Sequence, residues 1–280
     1  MKNRTVSSLI KKYHYRPKKK LGQNFLTDNN LMEKLMDALD LYPDEDLLEI
    51  GSGLGVFTHK LAKHALGVVA IEKDRQLIRI ASEEFQDQTN IKFIEGDFLN
   101  INLKEILRPY HSPIKVIGNI PYYISSRILF SLLDQASLFQ FAVLTVQKEV
   151  ASRIVAEPGT KDYGILTILL NAFVQCEPLF DLEPGCFFPA PEVTSSAIKI
   201  TFPKQALYQI SNRDFFKTVV KTAFNQRRKT LRNTLKKLLK NNRIKPWEAC
   251  QIDPELRPEQ IPISGYVALA NFLTAVLPGA

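Results

Sequence analysis

The sequence predicts an α/β fold: a mostly parallel, doubly wound sheet with an antiparallel hairpin at its edge, followed by a small all-α domain. Three observations carry that reading. Short apolar runs alternate with amphipathic segments from residue 46 to residue 147, the pattern of strands linked by crossover helices. A glycine-rich turn separates the first such strand from the first helix. Beyond Pro203 strand patterning ceases and only helical periodicity remains.

In chain order, residues 29–41 (NNLMEKLMDALDL) space apolar side chains as a helix does, with Asp28 or Asn29 as its cap. DLLEI (46–50) reads as a buried strand, GSGLG (51–55) as a tight turn and VFTHKLAKHAL (56–66) as a helix. GVVAIE (67–72) is a strand and DRQLIRIASEEF (74–85) a helix. IKFIEGD (91–97) and IKVIGN (114–119) are further strands, SSRILFSLLDQ (125–135) is a helix and FAVLTVQ (141–147) a strand. Segments around 175–181 and 195–202, joined by a Pro-rich loop, suit the edge hairpin. A boundary near 203 divides domains 1–202 and 203–280. In the second, residues 214–240 are expected as one helix. Its apolar positions are Phe216, Val219, Val220, Phe224, Leu231, Leu235 and Leu238, and its other faces are crowded with Lys and Arg.

Hydrophobic residues make up 45% of the 280, enough for a sizeable core. No run approaches the roughly 18 apolar residues of a membrane span. The basic N-terminal segment lacks the apolar stretch and cleavage site of a secretory signal. Cys176, Cys186 and Cys250 form no CxxC pair, so neither a disulfide framework nor a zinc site is expected, and a reducing cytoplasm fits best. His14, His59, His64 and His111 have no metal-binding spacing, and no metal is expected. The net charge of +8 conceals a segregation. Residues 1–27 hold eight Lys or Arg and no acid, and residues 217–245 hold eleven and no acid. The rest of the chain carries 18 basic residues against all 29 acidic ones. Such segments are either solvated faces or surfaces for a polyanion, and their density without any acid favours the second.

Three strand ends carry chemistry. Glu49-Ile50-Gly51-Ser52-Gly53-Leu54-Gly55 follows the first strand, where Gly51 and Gly53 let the backbone approach a ligand closely. The dinucleotide fingerprint places its last glycine at the sixth position; here that residue is Val56 and glycine falls at the fifth. Glu72 ends the second strand 21 residues after Gly51, the spacing at which an acid accepts ribose hydroxyls. Asp97 follows the third strand, where its carboxylate or neighbouring backbone can meet the amine of a bound adenine.

The sharpest motif is Asn119-Ile120-Pro121-Tyr122-Tyr123, after the strand IKVIG. The exocyclic nitrogen of adenine is a poor nucleophile because its lone pair is delocalised into the ring. The Asn119 amide oxygen and a nearby backbone carbonyl can accept its two N–H bonds and favour a pyramidal nitrogen. Pro121 restricts its neighbours and helps present carbonyls. Tyr122 offers a ring on which a base can stack.

The G-x-G-x-G turn after an acidic strand end resembles class I methyltransferases of Rossmann-like fold. N-[IL]-P-Y after such a strand resembles the ribosomal RNA adenine N6 dimethyltransferases. That family spans the bacterial small-subunit 16S enzymes, tied to kasugamycin sensitivity, and the large-subunit erythromycin-resistance methylases. Lys20-Leu21-Gly22-Gln23-Asn24-Phe25-Leu26 is similar to the family's K-x-L-G-Q-N-F-L. The resemblance implies that Asn24 and Leu26 contact S-adenosylmethionine, with Gly51, Glu72, Asp97 and Asn119 at the remaining cofactor positions. Gln147-Lys148-Glu149-Val150 is similar to a family helix start. Phe187-Phe188-Pro189-Ala190-Pro191-Glu192-Val193 resembles F-x-P-x-P-K-V, with Glu192 in place of the family's Lys; the resemblance implies that Phe187 stacks on the target base opposite Tyr122. Phe224-Asn225-Gln226-Arg227-Arg228-Lys229-Thr230-Leu231 resembles the F-x-Q-R-R-K-T-L of the small-subunit branch, with Arg227, Arg228, Lys229 and Arg232 as RNA contacts.

The implied activity is transfer of two methyl groups to each of two adjacent adenosines near the 3′ end of 16S rRNA, in a pre-30S particle, by a monomer. Rival readings are a large-subunit resistance methylase, a non-catalytic nucleic-acid-binding relative and a DNA adenine methylase. Intact Gly51, Glu72 and Asn119 argue for retained catalysis.

Overall fold

A computed structural model describes residues 4–239 and 246–277 of the chain; the basic residues Lys2, Lys240, Arg243 and Lys245 lie outside them. The chain divides into two compact units, Met1–Ala151 with Glu177–Phe202, and Ser152–Cys176 with Pro203–Ala280. One break follows residue 202, and Ser152–Cys176 groups with the second unit rather than with the first.

The elements are α1 (Val6–Lys12), β1 (Phe25–Leu26), α2 (Asn29–Leu39), β2 (Asp46–Ile50), α3 (Val56–Leu61), β3 (Gly67–Glu72) and α4 (Arg75–Glu84). There follow β4 (Ile91–Glu95), α5 (Leu103–Leu107), β5 (Ile114–Asn119), α6 (Ser125–Asp134), β6 (Phe139–Gln147), α7 (Lys148–Ile154) and α8 (Ile165–Asn171). Then come β7 (Gln175–Leu182), β8 (Phe187–Phe188), β9 (Ser195–Thr201), α9 (Arg213–Phe224), α10 (Leu231–Leu235), α11 (Pro246–Cys250) and α12 (Ile263–Val276).

The first unit is built on a seven-stranded sheet of order β4-β3-β2-β5-β6-β9-β7. The first five strands are parallel neighbours, and β9 runs antiparallel to β6. The central strands form where the sequence offers uninterrupted apolar runs: all five residues of β2 are buried, as are five of six in β3 and in β5. A parallel strand covered on both faces needs such a run. Complete burial of one Leu, such as Leu48, stabilises by roughly 1.5–3 kcal/mol. At the far edge β7 tolerates Pro178 because an edge strand has a side with no ladder partner. The strand order turns back at β2 and β5, so a crevice opens beyond their carboxyl ends, the usual ligand position in an open α/β sheet. Beside this sheet β1 and β8 form a two-stranded antiparallel ribbon, Phe25 opposite Phe188 and Leu26 opposite Phe187.

The second unit is helical, with Phe216, Val219, Val220, Leu231, Leu235, Tyr266 and Leu273 in its core. Residues 152–176 belong to it for stated reasons. The buried Tyr163 donates its hydroxyl to the Ile261 carbonyl at 2.9 Å, and Phe173 meets Phe216 edge to face at 6.0 Å.

The expected single helix over 214–240 is broken. α9 ends at Phe224, residues 225–229 form turns, and Thr230 is extended (φ −66°, ψ 157°) before α10. The apolar stripe fails between Phe224 and Leu231: the intervening turn is Asn-Gln-Arg-Arg-Lys-Thr, which offers no side chain to bury. Leu231 and Leu235 still pack inward, as expected.

Candidate active site

The crevice is lined by residues from the carboxyl ends of five parallel strands and from β1 and the chain before it. After β2 the chain turns on Gly51, Gly53 and Gly55, all left-handed (φ 79°, 56° and 75°), a conformation that favours glycine. A Cβ on Gly53 would also lie 3.0 Å from the Phe25 ring. The turn is tied to β3: the Gly51 N–H donates to the Ile71 carbonyl at 2.8 Å, and the Gly53 N–H to Glu72 Oε2 at 3.0 Å. Glu72 Oε1 accepts from the Asp74 N–H at 2.8 Å. Burial pushes the Glu72 carboxyl above its ordinary range, opposed by those backbone donors.

At the base of the crevice Glu49 is buried and accepts the Thr58 hydroxyl at 2.5 Å. Burial drives its carboxyl up to about 7. Asp97 holds Lys73 Nζ at 2.9 Å and accepts the Leu99 N–H at 3.1 Å; the lysine keeps its carboxyl below the usual range.

Asn119 ends β5, and its Nδ2 donates to the Asn24 main-chain carbonyl at 2.7 Å. That bond fixes the plane of the amide and leaves Oδ1 as an acceptor. Pro121 is extended (φ −58°, ψ 131°) and its carbonyl is engaged by the Ile124 N–H and the Ser125 hydroxyl. Gly118 is required by close packing, since a Cβ there would lie 2.9 Å from the Ile50 carbonyl oxygen.

Asn24, Leu26, Gly51, Gly53, Glu72, Asp97, Asn119 and Pro121 therefore share one crevice. Tyr122 and Phe187 stand outside its lining. Tyr122 is half-buried and its hydroxyl bonds Ser195 Oγ at 2.6 Å, whereas the next residue, Tyr123, lines the crevice and is 58% exposed. Phe187 is 4% exposed and packs in the core cluster with Leu26, while Phe188 is 47% exposed. Strand alternation on β8 produces that division. Sequence reasoning did not single out Lys73, Tyr123 or Asp74. Asp74 Oδ2 receives the Tyr15 hydroxyl at 2.8 Å, Gln23 Nε2 at 3.0 Å and Lys18 Nζ at 2.7 Å, and so pins the segment that carries Asn24. The only signal in the sequence was its place two residues after Glu72, where it also caps α4.

The residues fit S-adenosylmethionine. Ser52 Oγ, in the crevice lining, is buried with no hydrogen-bond partner among the described residues, an orphan that a ligand's polar group would satisfy. The glycine turn leaves room for close approach, and the Glu72 carboxylate retains lone pairs for hydroxyl donors.

In the second unit the four basic residues do not form one face. Arg227 Nη2 donates to the Thr160 carbonyl at 3.1 Å and its Nε lies 3.6 Å from Glu259. Arg232 Nε pairs with Glu255 at 2.8 Å. Arg228 and Lys229 are exposed on the turn and have no ion pair among the described residues. With the helix broken, Arg228 lies on the turn and Arg232 on α10.

A Rossmann-like sheet with a glycine turn, an acid after the second strand and an amide after the fourth defines a class I methyltransferase. The ribosomal RNA adenine dimethylase family model matches residues 15–275, and the chain belongs to that family. It is an enzyme of the methyltransferase class, and family membership implies an rRNA substrate. It is 39% identical over 279 residues to the ribosomal RNA small subunit methyltransferase A of Syntrophus aciditrophicus, covering 96% of this chain and 98% of that one. The protein of the same description from Clostridium acetobutylicum is 35% identical, covering 97% and 99%. Among solved structures, a dimethyladenosine transferase from Plasmodium falciparum superposes with a TM-score of 0.75 at 24% identity, covering 88% of this chain and 95% of that one. The 23S rRNA methyltransferase ErmE gives 0.69 at 24% identity, covering 90% and 100%. Both structures share the fold. Among the described residues no helix is long and apolar enough to cross a membrane.

Proposed function

We propose that the chain uses S-adenosylmethionine to place two methyl groups on N6 of each of two adjacent adenosines near the 3′ end of 16S rRNA. It does so as a monomer in the cytoplasm, on a pre-30S particle, as a step in small-subunit biogenesis. The observation that carries this reading is the amide of Asn119, in the crevice lining beside the glycine turn, whose Nδ2 is held by the Asn24 carbonyl and whose Oδ1 is left as an acceptor. The small-subunit branch rests on the near full-length relatives that bear that description.

When bound, the cofactor supplies an electrophilic methyl group on a sulfonium. Glu72 would accept its ribose hydroxyls, Asp97 would meet its adenine amine, and Gly51 and Gly53 would admit it against the backbone. Asn119 Oδ1 accepts one N6–H of the target adenine, localising the nitrogen lone pair for attack. The interaction strengthens as N6 gains positive charge, and so it acts on the transition state. Transfer would form the N–C bond as the methyl–sulfur bond breaks, with that electron pair kept on sulfur in a neutral thioether, and the one surplus N6 proton would pass to water. Tyr123 is the exposed ring at the crevice, and Tyr122 and Phe187 support its wall in the arrangement described above. The first unit is the catalytic domain, and the helical unit positions RNA through Arg228 and Lys229, with Arg227 and Arg232 held in ion pairs beside them.

The test is complementation of a bacterial strain lacking its own small-subunit adenine dimethylase. Mass spectrometry of 16S rRNA should show dimethyladenosine restored by the wild-type chain and not by Asn119→Ala. Dimethylation of 23S rRNA instead, or of neither, would overturn the assignment.

A further inference from the structure

The N-terminal arm divides its cations between two tasks. Arg4 pairs with Asp87 at 3.2 Å, Lys12 with Glu84, and Lys18 with Asp74 at 2.7 Å, and these bonds fasten the arm to α4 and its flanks. Lys11, Arg16, Lys19 and Lys20 are exposed and have no ion pair among the described residues. Two of these four are held at a fixed place. Residues Lys19–Leu21 form a single 3₁₀ turn, closed by the Leu21 N–H to the Lys18 carbonyl at 2.9 Å and the Gly22 N–H to the Lys19 carbonyl at 3.0 Å.

That turn abuts the catalytic loop. Gly22 is left-handed (φ 62°), and a Cβ on it would lie 3.3 Å from Pro121 Cβ and 3.4 Å from the Tyr123 ring. Lys20 is two residues away, hence within about 7 Å of Gly22 along the chain, and its side chain is exposed. From the other direction, Arg127 stands in the first turn of α6, four residues after Tyr123, and is exposed without an ion pair among the described residues. Its field reaches both Asp97 and Lys73 in the crevice lining. Three cations with no ion pair among the described residues thus stand on two separate elements, one whose cap Gly22 packs against the Tyr123 ring and one that begins two residues after Tyr123.

We propose that Lys19, Lys20 and Arg127 form a phosphate-binding rim at the crevice mouth that grips the RNA backbone next to the target adenosine. The inference rests on the reading of the chain as an RNA adenine methylase and deepens it by locating RNA contacts at the catalytic unit itself. An adenine must leave its stack to reach Asn119, and contacts to the flanking backbone offset the cost of unstacking. Contacts to phosphate position the nucleotide and carry no sequence information. Lysines on a hydrogen-bonded turn next to Gly22 are suited to that task, because the turn anchors their backbone close to the catalytic loop.

The experiment compares Lys19→Ala/Lys20→Ala, Arg127→Ala and Lys11→Ala with the wild-type chain. Lys11→Ala removes an exposed, unpaired cation of the same arm that lies outside the turn. Binding to 30S subunits from a strain lacking the modification is measured at several salt concentrations, separately from methyl transfer and from calorimetric affinity for S-adenosylmethionine. If each lysine neutralises one phosphate of single-stranded RNA, the double variant flattens the slope of log affinity against log salt by about 1.4 and lowers affinity about tenfold or more near 0.1 M salt. Arg127→Ala flattens it by about half as much. Cofactor affinity stays unchanged, Lys11→Ala behaves as wild type, and Lys19→Arg/Lys20→Arg restores the slope. A double variant that matches Lys11→Ala in slope and affinity overturns the proposal, as does one whose cofactor affinity falls in parallel, since the turn would then be structural. Binding is read without turnover, so a wild-type chain that binds 30S subunits but fails to methylate them counts against the assigned activity alone.

Discussion

The Gly53 N–H donates to Glu72 Oε2 at 3.0 Å, joining the glycine turn after β2 to the acid that ends β3. One carboxylate therefore shapes the turn and faces the proposed ribose position. Glu72→Ala should weaken S-adenosylmethionine binding by about ten- to a hundredfold, the value of a hydrogen bond to an ionised group of roughly 1.5–3 kcal/mol. Glu72→Gln should recover part of it, because Oε1 of an amide still accepts a backbone N–H. Calorimetry on both variants checks this; an unchanged affinity in Glu72→Ala would refute the ribose assignment.

Glu49 gives the fold a pH dependence of defined sign. Its carboxyl is driven up to about 7 by burial, far above the unfolded value. The stabilisation is therefore fully present below the unfolded pKa and is lost as pH rises through about 7. Glu49→Gln keeps an acceptor for the Thr58 hydroxyl and cannot ionise. Urea unfolding of the apo protein at pH 5 and pH 8 should show the variant gaining on wild type by about 2–3 kcal/mol at the higher pH. Comparison with wild type cancels the other groups, so equal differences at the two pH values would contradict the buried, uncharged assignment.

The Lys73–Asp97 pair is exposed at the lysine and contributes little to stability, about 0–1 kcal/mol. Its expected effect is on the ligand. Asp97→Ala should lower cofactor affinity several-fold, whereas Lys73→Met should leave the thermal midpoint within a degree or two of wild type. A large loss of stability in Lys73→Met would show that the pair holds the fold.

In the helical unit the basic residues of the turn and Arg232 of α10 should not behave alike. Arg228→Ala/Lys229→Ala should flatten the salt slope of binding to unmodified 30S subunits by about 1.4–1.8, depending on whether the RNA there is single- or double-stranded. Arg232→Ala, whose guanidinium is engaged by Glu255, should change it less. Equal effects from the two variants would show that the Glu255 pair opens on binding.

The parallel strands were legible because each is a continuous apolar run between turn signals, and β2, β3 and β5 begin and end where those runs do. The crevice was legible for the same reason: Gly51, Glu72, Asp97 and Asn119 mark four successive strand ends. Orientation within motifs was not. Whether Tyr122 or Tyr123 faces the crevice depends on a 3₁₀ turn and on Ser195, 73 residues away. The burial of Phe187 depends on β8 pairing with β1 across more than 150 residues, which no local pattern reports. The helix expected over 214–240 failed because the positions between Phe224 and Leu231 that would continue the apolar stripe are Arg227 and Arg228, although Leu231 stands seven residues from Phe224 at helical spacing. The grouping of 152–176 with the second unit rests on single long-range bonds such as Tyr163 to Ile261.

The central claim is that the Asn119 amide acts on the reacting nitrogen, not on cofactor binding. Single-turnover methyl transfer to unmodified 30S subunits, at saturating S-adenosylmethionine, tests it most directly in Asn119→Ala. The predicted result is a rate lower by about 10²–10³-fold, the cost of removing one preorganised hydrogen-bonding group at a centre where charge develops, with calorimetric cofactor affinity within a few-fold of wild type. A near-normal single-turnover rate, or a loss of rate fully explained by lost cofactor binding, would contradict the role assigned to Asn119.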